Sequence, residues 1–279
     1  MVTFGAADGT RLAHHRAGAG RPLLCLPGGP MQASAYLGDL GGLSAHRVLV
    51  LLDLRGTGAS AAPADPATYR CDRQVGDVEA LRAHLGLDQV DLLAHSAGAA
   101  LALLYAARHP DRVGRLALIT PSPWPVDLEV ADLDRQQVAE LRRGEPWFPD
   151  VAGALERIRS GEATDADWEA ITPLTYGRWD AVAQAHHAQE ATQRNADAAA
   201  AYYAPGALDP DATRAALARL AAPVLLLAGG YDVALPPDRA ADYATLFPRA
   251  ELAVQPGAGH YPWLDDPAWF VQTLAGFLR

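Results

Sequence analysis

Six short apolar runs constrain this chain more than any other feature. They lie at residues 23–26, 47–52, 89–93, 115–119, 223–228 and 251–254. Each is too short for a helix and none alternates with polar residues. Such runs fit strands buried on both faces, as in parallel sheets. Several end directly on chemistry-bearing or turn-forming residues: Pro27-Gly28-Gly29-Pro30, Asp53, His95-Ser96 and Thr120-Pro121. Between the runs lie helical patterns at 72–85, 97–109, 211–220, 238–247 and 266–278. The second stops before Pro110, and the last carries Pro267 in its first turn, where a missing N–H is harmless. An Asp8-Gly9 turn signal near the start predicts a hairpin. Strand and helix alternate over 22–120 and again over 210–279, which predicts a doubly wound α/β sheet.

The stretch between these blocks breaks the pattern. Residues 122–207 contain no strand run but hold Trp124, Trp147, Trp168 and Trp179, four of the six tryptophans. Amphipathic helices are expected at 128–141, 151–159, 165–172 and 179–203. The expected division is a core of 1–121 and 208–279 with a helical insertion, 122–207, folded over the sheet.

Composition excludes several classes. With 279 residues, 50% hydrophobic and 20% charged, the chain is globular. Its net charge of −10 argues against a phosphate-tracking nucleic-acid surface. All 23 basic residues are Arg. Without lysine there is no Schiff-base, P-loop or kinase-type lysine chemistry. Cys25 and Cys71 are the only cysteines, read as structural thiols, and no metal-ligating spacing occurs, so neither metal nor cofactor is expected. The N-terminus lacks a basic start and an apolar h-region, and no run approaches the roughly 20 residues of a membrane span. A cytoplasmic protein acting on a small molecule, with no membrane partner, is expected; the oligomeric state stays open.

The most informative stretch is Leu92-Leu93-Ala94-His95-Ser96-Ala97-Gly98: a strand, a tight turn bearing serine, then a helix. It is the nucleophile-elbow pattern with Ala94 in the first small position. The turn lifts the hydroxyl to a helix N-terminus, whose free N–H groups and dipole suit an oxyanion. Nine histidines compete as its base. His14 and His15 read as solvent-facing, His95 as a packing residue, and His186 and His187 as facing either substrate or solvent. His260 lies in a Gly-rich loop after the last strand, where catalytic groups of α/β proteins collect. Asp232 follows the preceding strand, giving the order Ser96, Asp232, His260. Ala97 N–H is one oxyanion donor. Gly29 is the expected second, since without a side chain its backbone can approach a carbonyl oxygen.

Together these residues resemble the α/β-hydrolase superfamily, and within it the proline iminopeptidase branch. Pro27-Gly28-Gly29-Pro30 is similar to that branch's His-Gly-Gly-Pro, and residues 53–60 to its Asp-x-Arg-Gly-x-Gly-x-Ser. The resemblance implies an eight-stranded, mostly parallel sheet with an inserted helical cap, and structural roles for Asp53 and Arg55. Two positions depart: Pro27 replaces His, and Val233 follows Asp232 where some of these aminopeptidases carry an amine-gripping Glu. Glu190 in the insertion is a substitute candidate, and Trp124, Trp179 and Tyr261 are candidate substrate contacts. The function expected is a serine hydrolase of a small ester, lactone or amide. A proline iminopeptidase-like aminopeptidase is the alternative; a carbon–carbon bond hydrolase and a non-catalytic ligand receptor are further ones.

Overall fold

The computed structural model describes residues 1–279. Its strands are β1 (Val2–Gly5), β2 (Arg11–Ala17), β3 (Pro22–Leu26), β4 (Val48–Asp53), β5 (Val90–His95), β6 (Val113–Ile119), β7 (Val224–Gly229) and β8 (Ala250–Gln255). They form one sheet in the order β1-β2-β4-β3-β5-β6-β7-β8. The β1–β2 and β2–β4 pairs are antiparallel, and every later pair is parallel. The eight-stranded, mostly parallel α/β sheet is therefore present.

The helices are α1 (Val75–His84), α2 (Gly98–Arg108), α3 (Asp132–Glu140), α4 (Phe148–Ser160), α5 (Asp165–Ala170), α6 (Ala181–Ala188), α7 (Glu190–Gln193), α8 (Ala196–Tyr202), α9 (Pro210–Leu217), α10 (Pro237–Ala244), α11 (Pro262–Asp265) and α12 (Pro267–Phe277). None is long and apolar enough to cross a membrane.

The non-alternating runs are explained by helices on both sides of the sheet. Leu24, Leu26, Leu92, Leu118 and Leu226 point to one face, against Val78 and Leu81 of α1 and Leu101 of α2. Their neighbours Leu23, Cys25, Leu93, Ala117, Leu225 and Leu227 point to the other, against Phe270 and Leu274 of α12. Period-two alternation still sorts the side chains; both destinations are apolar. Cys25 and Cys71 are free, buried thiols.

Three expectations need correction. The helix expected over 179–203 is three helices, because Arg194 adopts an extended conformation and bridges to Gln32. Asn195 then restarts the chain by capping α8 through the Ala198 N–H. His14 does not face solvent. It is 1% exposed and packs against the rings of Phe4 and His84. The helix expected over 128–141 is also shorter, starting where Asp134 accepts the Ala131 N–H.

Candidate active site

Ser96 directly follows β5 and takes a left-handed backbone conformation, φ +52°. Non-glycine residues rarely adopt it, and they keep it only where the surroundings fix the chain. Here Ser96 N–H donates to Ile119 O, and its own carbonyl accepts the N–H groups of Ala99 and Ser122. The small neighbours are required by close approach. A Cβ on Gly98 would lie 2.6 Å from the carbonyl oxygens of Leu26 and Pro27, and one on Gly28 would lie 2.7 Å from His95 O. The loop after β3 thus lies against the elbow backbone.

Three polar side chains from three loops meet there. His260 Nε2 is 2.8 Å from Ser96 Oγ, and His260 Nδ1 is 3.0 Å from Asp232 Oδ2. Asp232 is fully buried and accepts the Ala234 N–H on its other oxygen. A carboxylate can only accept, so Nδ1 carries the hydrogen and Nε2 is left to accept from the serine hydroxyl. Asp232 and His260 lie just past the C-terminal ends of β7 and β8, and Ser96 just past that of β5.

The two expected oxyanion donors share one property. Neither Gly29 N–H nor Ala97 N–H donates to any acceptor of the protein. Gly28 N–H, by contrast, is engaged by the Tyr36 hydroxyl at 2.7 Å. Free amides, one of them at a helix N-terminus, suit a developing negative charge.

The candidate substrate residues are placed unequally. Tyr261 packs within the aromatic group around the base, its ring centre 5.6 Å from that of His260 and 5.2 Å from that of His95. Trp179 packs against Tyr176 and Trp124 against Tyr203, both with tilted rings, and Trp124 is 58% exposed. Glu190 already has partners, Arg194 at 3.5 Å and His187 at 3.9 Å. Asp53 accepts from Ser34 and from Ala59 N–H, tying together the loops below the elbow, while Arg55 pairs with Asp77 and Asp8.

Several contacts around His260 had no sequence signal. Thr120 Oγ1 and His95 Nε2 both donate to His260 O at 2.9 Å. His260 N–H donates to Thr175 O at 2.7 Å. The half-buried Asp265 carboxylate accepts the N–H groups of Gly259, Gly177 and Arg178. His95 does pack as expected, but its Nε2 also donates to the backbone carbonyl of His260.

Known proteins are similar over most of this length. The model of the alpha/beta hydrolase fold family matches residues 21–146. The proline iminopeptidase of Heyndrickxia coagulans is 26% identical over 274 residues, covering 94% of this chain and 92% of the relative. The 2-hydroxymuconate semialdehyde hydrolase of Pseudomonas sp. (strain CF600) is 27% identical, covering 98% and 92%. Among solved structures, the esterase from Exiguobacterium antarcticum superposes with a TM-score of 0.74 at 20% identity, covering 99% of this chain and 98% of that one. The chain is an enzyme with the α/β-hydrolase fold and resembles the proline iminopeptidase branch of the hydrolases that share it.

Proposed function

We propose that the protein is a serine hydrolase of a small-molecule ester or lactone, working through an acyl-enzyme. The observation that carries this is the Ser96–His260–Asp232 arrangement, with hydrogen-bond distances of 2.8 and 3.0 Å. Ser96 Oγ attacks the acyl carbon as His260 Nε2 takes its proton. Asp232 holds the ring tautomer and stabilises the imidazolium. The N–H groups of Gly29 and Ala97 hold the oxyanion, and His260 returns the proton to the leaving group. Water then cleaves the acyl-enzyme by the same steps. Residues 122–207 serve as the cap, with Tyr261, Trp179 and Trp124 as candidate contacts to the substrate's apolar part.

A second reading, an aminopeptidase, is favoured by Glu190, which is near enough to bear electrostatically on Tyr261, Tyr36 and Tyr176. Its ion pair with Arg194 makes it a poor anchor for a substrate amine, so the ester reading comes first.

The test is p-nitrophenyl butyrate against proline p-nitroanilide, with wild type and Ser96→Ala side by side. Ester cleavage lost in the variant is the expected result; anilide cleavage moves the assignment to the aminopeptidase. Ser96→Ala should lower turnover by several orders of magnitude while remaining folded. Asp232→Asn should lower it by about 10⁴-fold, because the imidazole is then held in the wrong tautomer. Full activity in Ser96→Ala would falsify the assignment.

A further inference from the structure

We propose that Tyr36 and His95 are positioning residues for this reaction, holding the oxyanion loop and the general base in one hydrogen-bonded chain. The inference rests on the serine-hydrolase reading above. Every link has a fixed direction. His95 Nε2 faces the backbone carbonyl of His260 at 2.9 Å, and a carbonyl only accepts, so Nε2 carries the hydrogen. His95 Nδ1 is therefore an acceptor, and its partner at 2.7 Å is the Tyr36 hydroxyl. That hydroxyl spends its hydrogen on Nδ1, so its oxygen is free to accept the Gly28 N–H, also at 2.7 Å. The chain runs from Gly28 N–H to Tyr36, to His95, to His260 O.

Its members are suited to fixed roles. Tyr36 is 4% exposed and His95 2%. Burial pushes the His95 pKa well below the usual imidazole value, and the nearby His260 acts in the same direction. His95 thus stays neutral in one tautomer while His260 gains and loses protons. At the other end, fixing the Gly28 N–H sets the loop that presents the next amide, Gly29. Geometry of this kind matters because misplacement by about 1 Å can cost about 10²-fold in rate.

Three variants dissect the chain. Tyr36→Phe keeps the ring and removes the hydroxyl. His95→Gln keeps a donor near the Nε2 position and loses the Nδ1 acceptor. His95→Asn keeps an acceptor near Nδ1 and loses the donor to His260. Tyr36→Phe should lower kcat by about 10- to 50-fold with KM within about twofold, counted per site titrated by a fluorophosphonate. The rate of phosphonate labelling should fall in parallel, since it uses the same serine and oxyanion donors. His95→Gln added to Tyr36→Phe should cost little more, because both break one link. His95→Asn added to it should lower kcat further, because the second end is then lost too.

A kcat per titrated site within twofold of wild type in Tyr36→Phe overturns the proposal, even if that variant melts earlier. So does full additivity of Tyr36→Phe with His95→Gln. If Tyr36→Phe does not fold, His95→Gln breaks the same link from the other side and carries the same expected kcat loss. Ser96→Ala separates the two levels. Activity kept in Ser96→Ala overturns the reading of the site itself. Activity lost there, with Tyr36→Phe unimpaired, overturns only the positioning role.

Discussion

The strands β3–β7 and the helices α3–α8 are held in place by different forces. Most side chains of those strands are buried, on both faces of the sheet. The helices bury less: Val138 and Ala139 in α3, Phe148, Val151 and Ala154 in α4, Ala183 in α6, Ala198 and Tyr202 in α8, and no residue of α7. Apart from α8, which joins the sheet's core through Ala198 and Tyr202, this stretch meets the rest of the protein largely through polar contacts, and several of those end on the loops of the site. Thr175 O takes the His260 N–H, and Asp265 joins Gly177 and Arg178 to Gly259. Arg135 of α3 donates to Val233 O beside Asp232, and Gln193 O accepts from Ala33 after the oxyanion loop. Burial stabilises the sheet, whereas the helical stretch orders the loops it touches. Damage to the first should appear as lost stability, and damage to the second as lost turnover.

The largest expected effect breaks the first half of that contrast. Leu226→Ala removes a fully buried side chain from the sheet core and should destabilise the protein by about 2–5 kcal/mol. Leu133→Ala in α3, a position 63% exposed, should stay within about 0.5 kcal/mol of wild type. Urea unfolding of the two measures the difference. Equal losses would mean that the helical stretch belongs to the same cooperative core.

The second prediction concerns the seam. Asp265→Asn puts an amide NH₂ where a carboxylate accepted three backbone N–H groups, leaving at least one of them unpaired. A stability loss of about 1–3 kcal/mol is expected. A fall in kcat of about tenfold should accompany it, since Gly259 adjoins the base. Stability lost with kcat unchanged, measured well below the unfolding midpoint, would make the seam purely structural.

The same contrast explains what the amino-acid order reveals. The sheet was legible because each strand must fill two apolar faces, so runs such as Leu225-Leu226-Leu227 admit little else. Ser96, Asp232 and His260 were legible because each follows a strand's C-terminal end, where local turn chemistry marks it. The helical stretch was blurred. Its side chains face solvent as often as core, so periodicity over 179–203 ran through a break set by a distant partner, Gln32. Tyr36, Thr175 and Asp265 gave no signal at all, because a group that binds a loop N–H needs no particular pattern in the residues around it.

The smallest effect comes from the point where the sheet departs from apolar burial. His14 of β2 lies between Phe4 and His84, and neither ring nitrogen has a hydrogen-bond partner. Burial, helped by the nearby His84 and Arg16, pushes its pKa from 6.5 down to about 4. Between those values the unfolded chain takes a proton that the folded one refuses. The stabilising contribution is therefore complete above pH 6.5 and drains away as pH falls toward 4. His14→Leu should remove this slope and leave the protein more stable than wild type by about 1 kcal/mol at pH 5. Near pH 8 the two should differ less. Parallel stability–pH curves for wild type and variant would show that the unpaired imidazole is solvated after all.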